Sequence, residues 1–250
     1  FFFKQKTAYE ITYGDWSSDV CSSDLGGTAA RLAAEGVIER AREVAARLME
    51  AAPEDIVLDT ARGAFHVQGS PQPSRTWAEL AVQGGVQLSA TADFKPEGAT
   101  FPFGSHVSVV EVDIETGSVA VLRHVACDDA GTIINPLIVD GQVHGGVAQG
   151  IAQALLEEVL YDADGNPNTA NLADYGFISA AELPSFERVP METPTPRNPL
   201  GAKGIGEAGT IGATPAVHNA VVNAVSHLGV RHIDMPCTAQ RVWTAIQSAR

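Results

Sequence analysis

The sequence has little cysteine: three in 250 residues, at positions 21, 127 and 237, with no CxxC spacing. Such a set makes neither a secreted disulfide framework nor a zinc or iron–sulfur site. Positive charge is scarce as well. Sixteen Lys and Arg face thirty Asp and Glu, a formal charge of −14 with no basic run. A nucleic-acid groove and attachment to an anionic membrane both need a local excess of cations, so neither partner is expected. No stretch approaches 18 consecutive apolar residues, which excludes a spanning helix. The histidines at 106, 124, 144, 218, 227 and 232 form no HxxxH or HExxH pair. There is no P-loop, and Gly204-Ile-Gly206 lacks the remaining spacing of a dinucleotide fingerprint. What is left is a chain long enough for one large or two modest domains, expected in a reducing, cytoplasmic setting.

The first 25 residues differ from the rest. They hold six of the sixteen aromatic residues, with no sustained period of 2 or 3.6. Phe1 to Leu25 resembles the conceptual translation of a sequencing adapter and is set aside from fold reasoning as artefactual or disordered. The remainder, 26–250, is expected to be a fragment of a longer natural chain, in two lobes of roughly 26–100 and 101–250.

From Ala29 to Met49 apolar residues recur three and four apart, which predicts an amphipathic helix. Ile56 to Leu58, and Phe65 with Val67, read as two short strands joined through Gly63. Gly69 to Ser74 reads as a turn and Thr76 to Ala81 as a short helix, while 84–100 offers only possible short strands. Alternation from Val107 to Asp113, a turn ending at Gly117, and Val119 to Cys127 predict a valine-rich hairpin. Val143, Val147, Ile151, Leu155 and Val159 lie on one helical stripe. Gly145, Gly146 and Gly150 interrupt that helix, each at a cost of about 1 kcal/mol. Close approach of another helix, or of a ligand, to bare backbone would compensate. Residues 161–201 read as a long loop. Thr214-Pro215 reads as a helix N-cap followed by proline, and a last helix after Thr238 is expected to bury Val242, Trp243 and Ile246.

Two residues stand out chemically. Glu207 sits among glycines at 201, 204, 206 and 209, where a tightly turning backbone can present a carboxylate as a general base. A tight connection before the next helix explains the same glycines. Gln142 offers an amide that can both donate to and accept from a polar cofactor, and it is equally an ordinary helix-start residue.

A resemblance gives these residues roles. The motifs are Phe103-Gly-Ser-His-Val107 with Glu111-Val-Asp113, then Asp129-Ala-Gly-Thr-Ile-Ile-Asn-Pro136, then Gly141-Gln-Val-His-Gly-Gly-Val-Ala-Gln-Gly150. Glu192-Thr-Pro-Thr-Pro196, Pro199-Leu-Gly-Ala-Lys-Gly-Ile-Gly-Glu-Ala-Gly209 and Arg241-Val-Trp243 follow in order. Together they resemble the C-terminal molybdopterin-binding domain of the xanthine dehydrogenase and aldehyde oxidase family large subunit, of the carbon monoxide dehydrogenase-like kind. The resemblance implies a mixed, two-lobed α+β fold. It also implies a molybdenum–pterin cofactor, either molybdopterin or its cytosine dinucleotide, and oxidation of a small organic substrate or carbon monoxide with water as the oxygen source. Glu207 falls on the family's catalytic glutamate and Gln142 on its cofactor-contacting glutamine. Gly206 belongs to the same cofactor-facing loop, and Gly26, Gly27 and Thr28 match the tail of the segment that meets the pterin pyrophosphate before the first helix. No protein side chain is expected to ligate the metal. Electrons would pass to iron–sulfur clusters and FAD on partner subunits, in a dimer of heterotrimers that includes the missing N-terminal part of this subunit. Alone, the fragment is expected to be inactive. The alternative is a non-catalytic molybdopterin-binding or assembly module. Substrate-choosing loops lie upstream in this family.

Overall fold

Apolar residues three and four apart wind helix α1 (Ser22–Met49) and give it a stripe of Ala41, Val44, Ala45 and Ala46 that is almost wholly buried. The helix begins seven residues before the expected start. Gly26, Gly27 and Thr28 therefore lie inside it rather than in a segment preceding it. The computed structural model describes residues 22–83 and 88–249, so the adapter-like stretch up to Cys21 is outside the described residues. Contacts divide the chain into two units, Leu25–Glu97 and Gly98–Arg250.

In the first unit β1 (Ile56–Asp59) pairs antiparallel with β2 (Ala64–Val67), the turn closing on Gly63 at φ 62°. The expected turn at 69–74 is mostly strand: β3 (Ser70–Thr76) pairs with β2 in the order β1-β2-β3. The reversal is confined to Gly69, at φ 79°. Pro71 and Pro73 fit because an edge strand can forgo ladder donors. Helix α2 (Trp77–Gln83) starts on a reciprocal capping box. The Thr76 N–H donates to Glu79 Oε2 at 2.8 Å, and the Glu79 N–H donates to Thr76 Oγ1 at 3.3 Å. Residues 88–100 contain no strand, and 84–87 are outside the described residues. Val44, Ile56, Phe65 and Leu80 form the core, with Trp77 edge-on to Phe65 at 4.8 Å between ring centres.

In the second unit β4 (Gly104–Val112) and β5 (Val119–Asp129) make the expected hairpin. Asp113 Oδ1 accepts the N–H groups of Glu115 and Thr116, and Gly117 takes φ 77°. Val110 pairs with Val121 but Val109 with Arg123, so Leu122 is an extra residue bulging from β5. Within the expected loop lies β6 (Phe186–Met191), which adds parallel to β5 in the order β4-β5-β6. A six-residue segment containing Pro190 carries almost no local strand signal, and β5 supplies its partners.

Helix α3 (Pro136–Leu155) is capped by Asn135, whose side chain accepts from the N–H groups of Leu137 and Ile138. The stripe Val143, Val147, Ile151 and Leu155 is buried, whereas Val159 lies beyond the helix and is exposed. The Ala154 carbonyl, which would accept the next helical bond, takes the Cys237 N–H at 2.7 Å instead. Helix α4 (Ala208–Val225) contains Thr214 and Pro215 in its interior, not at its start. The Thr214 hydroxyl lies within hydrogen-bond reach of the carbonyls of Thr210 and Gly150. In α5 (Ala239–Ala249) Val242 and Ile246 are buried, while Trp243 is 43% exposed, against expectation.

Candidate cofactor site

The glycines of α3 resolve into two groups. A Cβ on Gly146 would meet the Thr210 nitrogen at 3.0 Å, and one on Gly150 would meet the Thr210 carbonyl oxygen at 2.9 Å. From the other side, a Cβ on Gly209 would lie 2.8 Å from the Val143 oxygen and 2.9 Å from the Val147 nitrogen. Helices α3 and α4 thus touch backbone to backbone, and the Thr210 hydroxyl donates to the Gly146 carbonyl at 3.0 Å. Gly141 and Gly145 have nothing within 4 Å of a built Cβ. They leave bare backbone facing open space beside Gln142, which is exposed.

Gly209 lies against the turn of α3 that begins at Val143, and Glu207 stands two residues before it in the chain. Glu207 occupies the N-cap position of α4, at φ −106° and ψ −15°, yet its side chain caps no backbone N–H and is exposed. Its carboxylate is thus left to face outward at a helix N-terminus. Gly206 precedes it, half-buried.

The approach to Glu207 is held rigidly. The Thr132 N–H donates to the Gly201 carbonyl at 2.9 Å and the Lys203 N–H to the Ala130 carbonyl at 2.9 Å, forming a bridge around Gly131 and Ala202. Gly131 at φ 64° and Gly201 at φ 69° allow the two segments to meet. The buried Asn198 amide donates to the Ala202 carbonyl and accepts the Ala202 N–H. Lys203 Nζ pairs with the fully buried Asp129 at 3.2 Å and sits 4.8 Å over the Phe103 ring. Burial pushes the Asp129 carboxyl up, but hydrogen bonds from Thr193, the Gly131 N–H and Lys203 outweigh it and hold the group below the usual range.

Gly26, Gly27 and Thr28 belong to the first unit. Thr28 is fully buried, and its hydroxyl has no hydrogen-bond partner. Among the described residues no group of three His, Cys, Asp or Glu side chains could hold a metal ion. In the second unit a carboxylate, an amide and open glycine backbone fit a polar group that brings its own metal ligands.

Sequence reasoning missed one cluster. On the sheet face toward α4, His106 Nε2 lies 3.1 Å from both Asp128 carboxylate oxygens, His124 Nε2 lies 3.2 Å from His106 Nδ1, and the Ser108 hydroxyl lies 2.6 Å from His124 Nδ1. Burial, then His106, push the His124 imidazole down to about 4, against the pull of Asp128. The only advance signal was polar residues inside apolar strands. Cys127 is half-buried.

The fold is α+β, with α3 and α4 packed backbone to backbone against a three-stranded sheet in the second unit. The molybdopterin cofactor-binding domain family matches residues 6–184. The carbon monoxide dehydrogenase large chain of Hydrogenophaga pseudoflava is 38% identical over 244 residues, 94% of this chain and 30% of that one. Reconstituted CO dehydrogenase from Oligotropha carboxidovorans superposes with a TM-score of 0.82 at 35% identity, covering 91% of this chain and 29% of that one. Quinoline 2-oxidoreductase from Pseudomonas putida 86 gives 0.75 at 39% identity, over 86% and 28% respectively. The chain belongs to the molybdopterin cofactor-binding domains of the xanthine dehydrogenase and carbon monoxide dehydrogenase family. It spans under a third of the length of these relatives. Among the described residues no helix is long and apolar enough to cross a membrane.

Proposed function

We propose that the chain is part of the large subunit of a cytoplasmic molybdenum hydroxylase, with Glu207 as its general base. The reaction oxidises a small organic molecule, R–H + H2O → R–OH + 2e− + 2H+, or carbon monoxide to carbon dioxide with the same release of electrons and protons. When bound, the molybdenum–pterin group, as molybdopterin or its cytosine dinucleotide, supplies the two-electron acceptor and the oxygen-transfer centre. Gln142 holds the pterin through its amide, Gly206 lets the cofactor approach the backbone, and Gly26, Gly27 and Thr28 meet its pyrophosphate end. Glu207 accepts the proton released from water at its carboxylate oxygen. Electrons leave to an iron–sulfur subunit and an FAD subunit in a dimer of heterotrimers, and this chain by itself does not turn over.

The observation that carries the reading is the exposed, uncapped Glu207 carboxylate, two residues before the Gly209–Gly146 backbone contact. In the complete subunit, assembled with its partners, Glu207→Gln should lower turnover by about 10²–10⁴-fold, the range for loss of a general base. Molybdenum and pterin content should not change. Wild-type turnover in that variant overturns the base role, whereas a wild-type assembly that binds molybdenum and pterin without turnover makes a non-catalytic cofactor-binding or assembly module the better account.

A further inference from the structure

One constraint orders the hydrogen bonds of the buried cluster: a carboxylate only accepts. Asp128, whose side chain is 3% exposed, receives its hydrogen bond from His106 Nε2–H, and a ring carrying that one proton presents a bare Nδ1. That nitrogen accepts from His124 Nε2–H, and His124 Nδ1 in turn accepts from the Ser108 hydroxyl. The chain then runs one way, Ser108 to His124 to His106 to Asp128, with each ring nitrogen used. Three groups on two strands, Asp128, His124 and Ser108, hold the His106 ring, whose side chain is 1% exposed.

Against this ring lies Gly212 of α4. A Cβ there would sit 2.6 Å from His106 Nε2 and 2.7 Å from Cδ2 and Cε1. One turn earlier, Gly209 rests on the backbone of α3. The amino-terminal part of α4 is therefore gripped on two sides, by α3 at Gly209 and by the His106 ring at Gly212. Glu207 is the residue at its end, with no side-chain cap bond to hold it. We infer that His106 and Asp128 are positioning residues for Glu207, forming a hydrogen-bonded seat that fixes where the start of α4 lies on the sheet. The inference rests on the reading of Glu207 as the base.

The test uses the complete subunit with its partners and begins from Glu207→Gln. Given a dead Glu207→Gln variant, Gly212→Ala should lower kcat by about a hundredfold, the effect of a misplacement of about 1 Å. KM and molybdenum content should stay near wild type. Adding His106→Ser to Gly212→Ala makes room for the new methyl and should recover at least tenfold of that loss. His106→Gln alone, which can still donate to Asp128, should keep kcat within about threefold. A readout independent of turnover is the nitrogen chemical shifts of the two histidines in the complete subunit, selectively labelled at histidine, where both rings should carry the Nε2–H tautomer at pH 7. A wild-type kcat in Gly212→Ala, or a loss that His106→Ser does not relieve, overturns the seat while leaving the base role intact. An Nδ1–H tautomer at His106 overturns the relay. Wild-type turnover in Glu207→Gln removes the base reading itself.

Discussion

The two units solve the same packing problem with different materials. Residues 25–97 are held by interlocked large side chains, with Phe65 against Trp77 and Ile56, Leu80 and Val44 around them. The second unit brings backbones together at Gly146, Gly150 and Gly209 and buries His124, Asp128, Asp129, Thr195 and Asn198. Side-chain packing tolerates small adjustments of shape. Backbone contact at glycine and a satisfied polar chain tolerate few, because the next available change is a whole methyl group or an unpaired charge. The candidate catalytic residue sits on the less forgiving unit, where position is fixed most tightly.

The comparison can be broken most severely in the first unit. Phe65→Ala should cost about 3–5 kcal/mol through lost burial and the cavity left behind. Hydrogen exchange followed by peptide should then rise across 25–83 while α3 and α4 keep their protection. Equal loss in both would mean that the units do not hold together separately.

Acid should act the other way. The His124 imidazole is neutral in the folded state, with its pKa lowered to about 4. An unfolded histidine titrates near 6.5, so stability is fully present above that pH and is lost as pH falls from about 6.5 to 4. The loss is about 3 kcal/mol, about 1.4 per unit of pKa. Urea midpoints measured against pH should show this slope, and His124→Gln should flatten it. Exchange should quicken first around β4 and β5.

The smallest effects separate neighbouring glycines. Gly146→Ala should destabilise by about 1–3 kcal/mol, since its methyl meets the backbone of α4. Gly145→Ala, facing open space, should raise stability by up to about 1 kcal/mol. If Gly145 serves the cofactor, the same variant of the complete subunit should lose molybdenum while melting higher. Thermal midpoints and metal analysis read both.

Several elements were legible because their signal is local. The period of α1, the Thr76–Glu79 cap, Gly63 and the Asp113–Gly117 turn are set within a few residues of chain. Glu207 and Gln142 could be named from the glycine spacing and the ordered motifs. The packing of their helices could not, because it depends on which of three similar glycines in α3 meet α4. Pro215 misled for a related reason: proline usually opens a helix, but here the seven residues before it are drawn into α4 by packing on α3. β6 was hidden because its partner strand lies some sixty residues away.

The sequence by itself determined the stripes, caps and turns, and the residue types available for chemistry. It did not determine the face on which His124 would lie. Counting back from the turn pairs Val112 with Val119 and Val110 with Val121, which would set His124 opposite Val107 on the exposed side. The extra residue, Leu122, shifts the register so that His124 meets Ser108 and turns inward. Strand alternation has a period of two, so one inserted residue reverses every later side chain. Only packing under α4 decides whether that reversal is stable.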